Sequence, residues 1–229
     1  MKSTIKLLAL SAIVGATVTA TAQTVTVDPS KLTLGYMNWT PVSTDLPGFG
    51  GTGSSAWGTA DLDATFSGTT LTLTPNTSIA RDVAQPNPYW WNANGTGANN
   101  MDASFYNETT GTFVNTTLTF TFDVLANTLV NPYTSVAFIK DFAPDYSSFV
   151  QSTVALAPGI QSVSLLTSAN VGDHIQYGFE TVGPNVEANP STVAALYGSV
   201  IVSPVPEPAT LALAGLGGLT ALSLIRRRK

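Results

Sequence analysis

Residues 116–124 read TTLTFTFDV. Leu118, Phe120, Phe122 and Val124 alternate with Thr117, Thr119, Thr121 and Asp123. This period of two puts every apolar side chain on one face of an extended strand and every hydroxyl or carboxyl on the other. A strand of that kind is half buried, so a second layer must cover its apolar face. TTLTLTP repeats the pattern with Leu71 and Leu73, and Pro75 ends it. Further candidate strands are LTLGYMN, TADLDATF, TSVAFIK, FVQSTVAL, IQSVSLL, HIQYGFET and LYGSVIV, joined by segments rich in Gly, Pro and Asn. NGTGANN, Asn94 to Asn100, reads as a long turn. Outside the two ends, no window carries an apolar stripe of period 3.6 and helical length. About nine short strands with punctuating turns predict an all-β fold, an antiparallel β-sandwich or jelly roll.

The polar positions are filled by Thr, Ser and Asn rather than by charge: charged residues make up 10% of the 229 and apolar residues 44%. Ordinary domains carry about a quarter charged residues. Between Lys6 and Arg226 only Lys31, Arg81 and Lys140 are basic, against thirteen acids from Asp28 to Glu187, so the body carries about −10. Such a surface repels phosphate backbones, which argues against nucleic acid as a partner. There is no cysteine. Disulfides, thiolate metal sites and a thiol nucleophile are therefore excluded.

Both ends read as addresses. Lys2 and Lys6 precede the apolar stretch LLALSAIVGA, and Ala20-Thr21-Ala22 supplies a small-residue cleavage pattern. Residues 1–22 are thus expected to be a secretory signal peptide, with the mature chain starting at Gln23. At the other end, Ala209 to Ile225 contains 17 residues without a charge. As a helix they would span roughly 25 Å against a hydrocarbon core of about 30 Å. Arg226, Arg227, Arg228 and Lys229 follow at once, which places them on the cytoplasmic side and the body outside. The expected organisation is a signal peptide, an extracytoplasmic β domain over 23–204, and a tail over 205–229 with a single transmembrane helix at 209–225.

Val205-Pro206-Glu207-Pro208, then a Gly/Ala/Leu helix, then an Arg-rich end closely resembles the PEP-CTERM protein-sorting signal. The resemblance is confined to this tail. It implies that Pro206, Glu207 and Pro208 are the recognition element for a membrane-embedded exosortase, which cuts near them. It also implies a Gram-negative-type envelope, insertion in the inner membrane through the tail, and delivery to the cell surface or medium, often with exopolysaccharide or matrix as a partner. Two prolines flanking one carboxylate cannot continue a helix, and they hold the backbone extended where a processing enzyme can grip it.

Catalytic chemistry is sparse. His174 is the sole histidine and lies on the polar face of HIQYGFET with Gln176 and Glu180, a surface position. Asp61 with Asp63, on one face of TADLDATF, and Asp141 with Asp145 are carboxylate pairs on paper. No cofactor is expected; these oxygens suit a structural calcium ion better than glycoside hydrolysis, without a ligand assignment. In NPYWWN, the rings of Tyr89, Trp90 and Trp91 stand beside Asn87 and Asn92. They are the candidate glycan contact, although adjacent strand residues face opposite ways and at least one tryptophan belongs to the core. In VAFIKDFAPDYSSF, Lys140 and Asp141 could ion-pair, and Phe142, Tyr146 and Phe149 could line a groove. Gly178 is read as a bulge or a close backbone approach. Asn-x-Thr/Ser triplets at Asn38, Asn76, Asn94, Asn107 and Asn115 are by-products of a Thr/Asn-rich chain in this setting. The expectation is a non-catalytic envelope or matrix protein with a structural or adhesive role. The alternatives are a carbohydrate-binding module and, third, a secreted hydrolase or lyase.

Overall fold

A computed structural model describes residues 21–43, 50–77, 89–92, 96–186 and 190–205. The strands found in them are β1 (Thr21–Thr26), β2 (Leu34–Pro41), β3 (Gly53–Ala56), β4 (Ala64–Ser67), β5 (Thr70–Leu73), β6 (Asn99–Thr110), β7 (Thr116–Asn127), β8 (Thr134–Phe142), β9 (Phe149–Ala155), β10 (Gly159–Leu166), β11 (His174–Pro184) and β12 (Val200–Ser203). A 3-10 turn (Thr59–Leu62) and one helix, α1 (Pro190–Tyr197), complete them. They form two six-stranded sheets. The first runs β1-β7-β12-β5-β4 with β10 also on β7, and the second runs β3-β2-β6-β11-β8-β9.

TTLTFTFDV is the middle of β7, and its alternation becomes the core. Leu118, Phe120 and Phe122 are fully buried. Phe120 meets Tyr177 at 5.3 Å and Phe179 at 5.2 Å between ring centroids, and Phe122 meets Phe179 edge-on at 5.3 Å. These contacts join the two sheets, each buried ring contributing about 1.5–3 kcal/mol. On the opposite face the hydroxyls pair across strands, as where Thr119 Oγ1 and Ser164 Oγ of β10 lie 2.8 Å apart.

β7 also organises its sheet. β10 covers Thr117–Val124 along one edge, while β1 pairs with Thr116–Thr121 and β12 with Asp123–Asn127. Because β10 overlaps both, β1 and β12 must share the other edge, end to end. β1 runs parallel to β7, so the sandwich is not purely antiparallel as its turn-rich sequence suggests. β1 includes Thr21 and Ala22, which the expected signal-peptide cut would remove, leaving Gln23–Thr26 on the ladder.

Four local readings are corrected. NGTGANN does not remain a turn to its end: Asn99 and Asn100 open β6, a 12-residue strand whose Met101, Ala103 and Phe105 face the core. TADLDATF is not one strand, because the 3-10 turn takes its first half and Asp63 adopts a left-handed φ of 53°. In LYGSVIV, Leu196 and Tyr197 end helix α1, and Gly198 at φ 81° lets its N–H close on Ala194 O at 2.9 Å before β12 begins. That helix is eight residues long with Val193 as its buried anchor, too short for a sequence stripe to reveal. Lys140 and Asp141 do not pair, since β8 sends them to opposite faces. At Gly178 the ladders to β6 and β8 continue unbroken, and a Cβ would sit 2.1 Å from Phe105 O, so the close-approach reading holds.

Replacing Phe120 by Ala is expected to cost about 3–5 kcal/mol in denaturant unfolding, while Thr119→Ala, one residue away on the wet face, stays within about 0.5 kcal/mol. Similar losses from the two would show that β7 does not have one buried face.

Candidate functional site

The expected glycan contact, Tyr89, Trp90 and Trp91, lies at one margin of the core. Trp91 is 8% exposed and belongs to the core cluster. Trp90 meets Tyr89 edge-on at 4.6 Å and Trp39 at a tilt at 5.7 Å, and Trp39 meets Trp57 at 6.1 Å. Trp39 Nε1 donates to Tyr89 Oη at 2.7 Å. The backbone of this segment is pinned by two buried amides: Asn99 Nδ2 donates to Tyr89 O at 2.6 Å and Asn185 Nδ2 to Trp90 O at 3.0 Å. Beside it a cavity of about 370 Å³ is lined by Asn92, Thr96, Tyr133, Asn185 and Tyr197, among others.

The carboxylate pairs separate. Asp61 lies in the 3-10 turn and Asp63 bonds Thr77 through its N–H and hydroxyl. Asp145 sits in the exposed β8–β9 turn, where bonds from the Ser147 hydroxyl and amide hold its carboxyl below the usual range. Asp141 points inward. Its Oδ2 accepts from Ser168 N at 2.7 Å, its Oδ1 is buried without a partner, and burial pushes its carboxyl up. Among the described residues no group of three or more His, Asp or Glu is placed to hold a metal.

The structure instead gathers polar chemistry on the outer face of the second sheet, through pairings between distant strands. Register sets Asp102 of β6 opposite Asn38 of β2, and Ser104 opposite both Tyr36 and Glu180 of β11. Glu180 Oε2 accepts from Lys140 Nζ at 2.9 Å and from Ser104 Oγ at 3.3 Å. To reach it, Lys140 extends over the Phe138 ring, 4.3 Å from its centroid. Gly178 lies in register between Tyr106 and Phe138, whose ring centroids stand 6.5 Å apart. Asp102 has Asn38 Nδ2 at 3.5 Å from its Oδ2, while its Oδ1 is buried without a partner. Desolvation first, and the negative Glu180 beside it second, raise the Asp102 carboxyl to about 6. Below that pH Asp102 is mostly neutral, since two adjacent carboxylates resist being charged together.

One end of the same face is aromatic. Phe142 of β8 and Phe149 of β9 form a cross-strand pair at 4.8 Å, and Phe142 meets Tyr146 at 5.6 Å. The Tyr146 ring stacks on His174 at 4.3 Å, with planes 10° apart, and its hydroxyl donates to Glu108 Oε1 at 2.9 Å. Gln176 Nε2 donates to Glu108 Oε2 at 2.6 Å, and His174 Nδ1 lies 2.8 Å from Thr110 Oγ1. Desolvation and the bond to Glu108 push the Tyr146 phenol up to about 12. Thus Phe142, Tyr146 and Phe149 do come together, with His174 as the fourth ring. Asp102, Ser104, Glu108 and Glu180 were not found by sequence reasoning as a group, because only strand register makes neighbours of them.

The sorting elements Pro206, Glu207, Pro208, Arg226, Arg227, Arg228 and Lys229 lie outside the described residues, as do most of the signal peptide and the 209–225 segment. Among the described residues no helix is long and apolar enough to cross a membrane. Residues 204–229 match the family model of the PEP-CTERM protein-sorting motif. The chain thus carries a sorting signal that indicates export, membrane-anchored sorting and recognition by an exosortase-type processing enzyme. No curated protein and no solved structure matches the chain.

Because Asp102 titrates near 6 when folded and near 3.9 when unfolded, the folded protein holds a proton that the unfolded chain releases. This group's contribution to stability is therefore full below about pH 4 and is lost as pH rises through about 6. Asp102→Asn is expected to remove that dependence and to raise stability at pH 7.5 by about 1–3 kcal/mol. Urea unfolding of both proteins at pH 4, 6 and 7.5 checks this; an Asn variant that is less stable at pH 7.5 would overturn the raised Asp102 carboxyl.

Proposed function

We propose that this is a non-catalytic exported protein of the cell envelope or extracellular matrix, processed or anchored through its tail, whose β domain has a structural or adhesive role. The observation that carries the reading is the match of residues 204–229 to the PEP-CTERM motif. β12 ends at Ser203, so Pro204 and Val205 alone separate the folded sheet from Pro206. A domain joined so closely to its sorting signal works at the surface to which that signal delivers it.

The character of the β domain supports the same reading. Residues 149–166, covering β9 and β10, contain no charged residue, and β9 is the terminal strand of its sheet. Phe149, Val150, Ile160 and Leu166 are all exposed there. An uncharged, exposed edge favours association over solitary diffusion. Two carboxylates of the outer face are committed to structural partners, Glu180 to Lys140 and Ser104, and Glu108 to Gln176 and Tyr146, which favours a non-catalytic role. A carbohydrate-binding module is the second reading. It is favoured by aromatic rings flanked by amides and carboxylates at Tyr89–Trp91 and at the β8–β9 turn.

Intact-mass measurement of the protein from membrane and medium of its host, with and without exosortase activity, tests the proposal. The expected result is a chain lacking Arg226–Lys229 when the enzyme is active and a membrane-held chain retaining them when it is absent. Identical full-length protein in both strains, confined to the cytoplasm, would overturn it.

A further inference from the structure

We infer that the tip of the β8–β9 hairpin is a binding site for a neutral pyranose glycan; the inference rests on the adhesive reading above and supplies its ligand class. Tyr146 is the starting point. Its φ of 57° lies in the left-handed region, where a bulky aromatic side chain is an outlier and glycine or asparagine is usual. Such a conformation persists only where the surroundings hold it, and it is found disproportionately at ligand clamps. Here the surroundings are explicit. The preceding Asp145 accepts from Ser147 N at 3.1 Å, the Tyr146 hydroxyl is tied to Glu108, and His174 supports one face of the ring.

What this conformation achieves is presentation. Tyr146 and Phe149 are each 49% exposed, and Phe142 lies between them, so the rings form a continuous apolar strip beginning at His174. A packing role would have buried them. Glu108 and His174, with side chains 22% and 20% exposed, border the strip. Exposed aromatic rings bordered by polar side chains complement a sugar ring, whose axial C–H face is apolar and whose edge is hydroxylated.

Charge selects among glycans. Lys140 on this face is already bonded to Glu180, while the carboxylates of Glu108 and of Asp145, next to Tyr146 in the turn, stand beside the rings, on a body that carries about −10. Uronate or sulfate polymers would meet like charge. A neutral polymer meets none.

The test is affinity electrophoresis of the full chain in mild non-ionic detergent. The gels contain soluble neutral polymers of glucose in β-1,3 and β-1,4 linkage, mannose, galactose or xylose, with alginate as the anionic control. Retardation by at least one neutral polymer and not by alginate is expected. Tyr146→Gly and Phe149→Ala should each weaken it at least tenfold, while Tyr146→Gly still folds cooperatively, because glycine accepts that φ without strain. The inference is overturned if no neutral polymer retards the protein, if alginate is preferred, or if binding survives both substitutions. It is also overturned if sedimentation shows a dimer that the two variants abolish, which would give the strip to a second copy. Lost glycan binding with normal export and tail processing would remove the ligand and leave the envelope reading standing; glycan binding in a chain that is never sorted would do the reverse.

Discussion

The row Leu118, Phe120, Phe122 and Val124 imposes the constraint from which the remaining architecture follows. Four apolar side chains on one face of one strand must be covered, and a strand so deep in the molecule must have its backbone paired on both edges. Cover comes from Tyr177 and Phe179 of β11, the strand at the middle of the opposite sheet. Pairing comes from β10 along one side and from β1 and β12 in tandem along the other. Elements from both termini are thus recruited to one central strand, and the chain closes on itself without a disulfide.

Legibility tracked how local the determining physics is. Strands with a wet and a dry face could be read directly, as Leu71 and Leu73 of β5 and the alternation in β8 and β11 show. β6 was obscured because its first residues, Asn99 and Asn100, have turn composition, although Met101, Ala103 and Phe105 keep the period of two. Helix α1 is a single pair of turns with one buried anchor, below what periodicity can resolve. The direction of β1 depends on its partner, a tertiary fact with no local signature. Lys140 and Asp141, neighbours in sequence, could have ion-paired, yet the pleat that makes β8 a strand sends them to opposite faces.

The candidate site shows the same division. The aromatic turn could be anticipated because Phe142, Tyr146 and Phe149 are close in sequence. The cluster of Asp102, Ser104, Lys140 and Glu180 draws on three strands up to 78 residues apart, and register alone assembles it. In a chain this poor in charge, such gathering is costly unless each group has a partner. Lys140 bridges the cost by covering Phe138 with its stem and neutralising Glu180 with its tip. Asp102, left with one oxygen unpaired, meets the cost by holding its proton up to about pH 6 instead.

The placement of β12 bears on mechanical load. The chain leaves the sheet at Ser203, with β12 gripped by β5 on one side and β7 on the other. A pull on the tail in line with this strand strains both ladders in shear, so the hydrogen bonds resist together rather than opening one at a time. An edge strand in the same position would peel. Mechanical lifetime under such a pull is set by the rate of unfolding rather than by equilibrium stability, and placing the attachment strand between two neighbours slows that rate where a tether would apply its force.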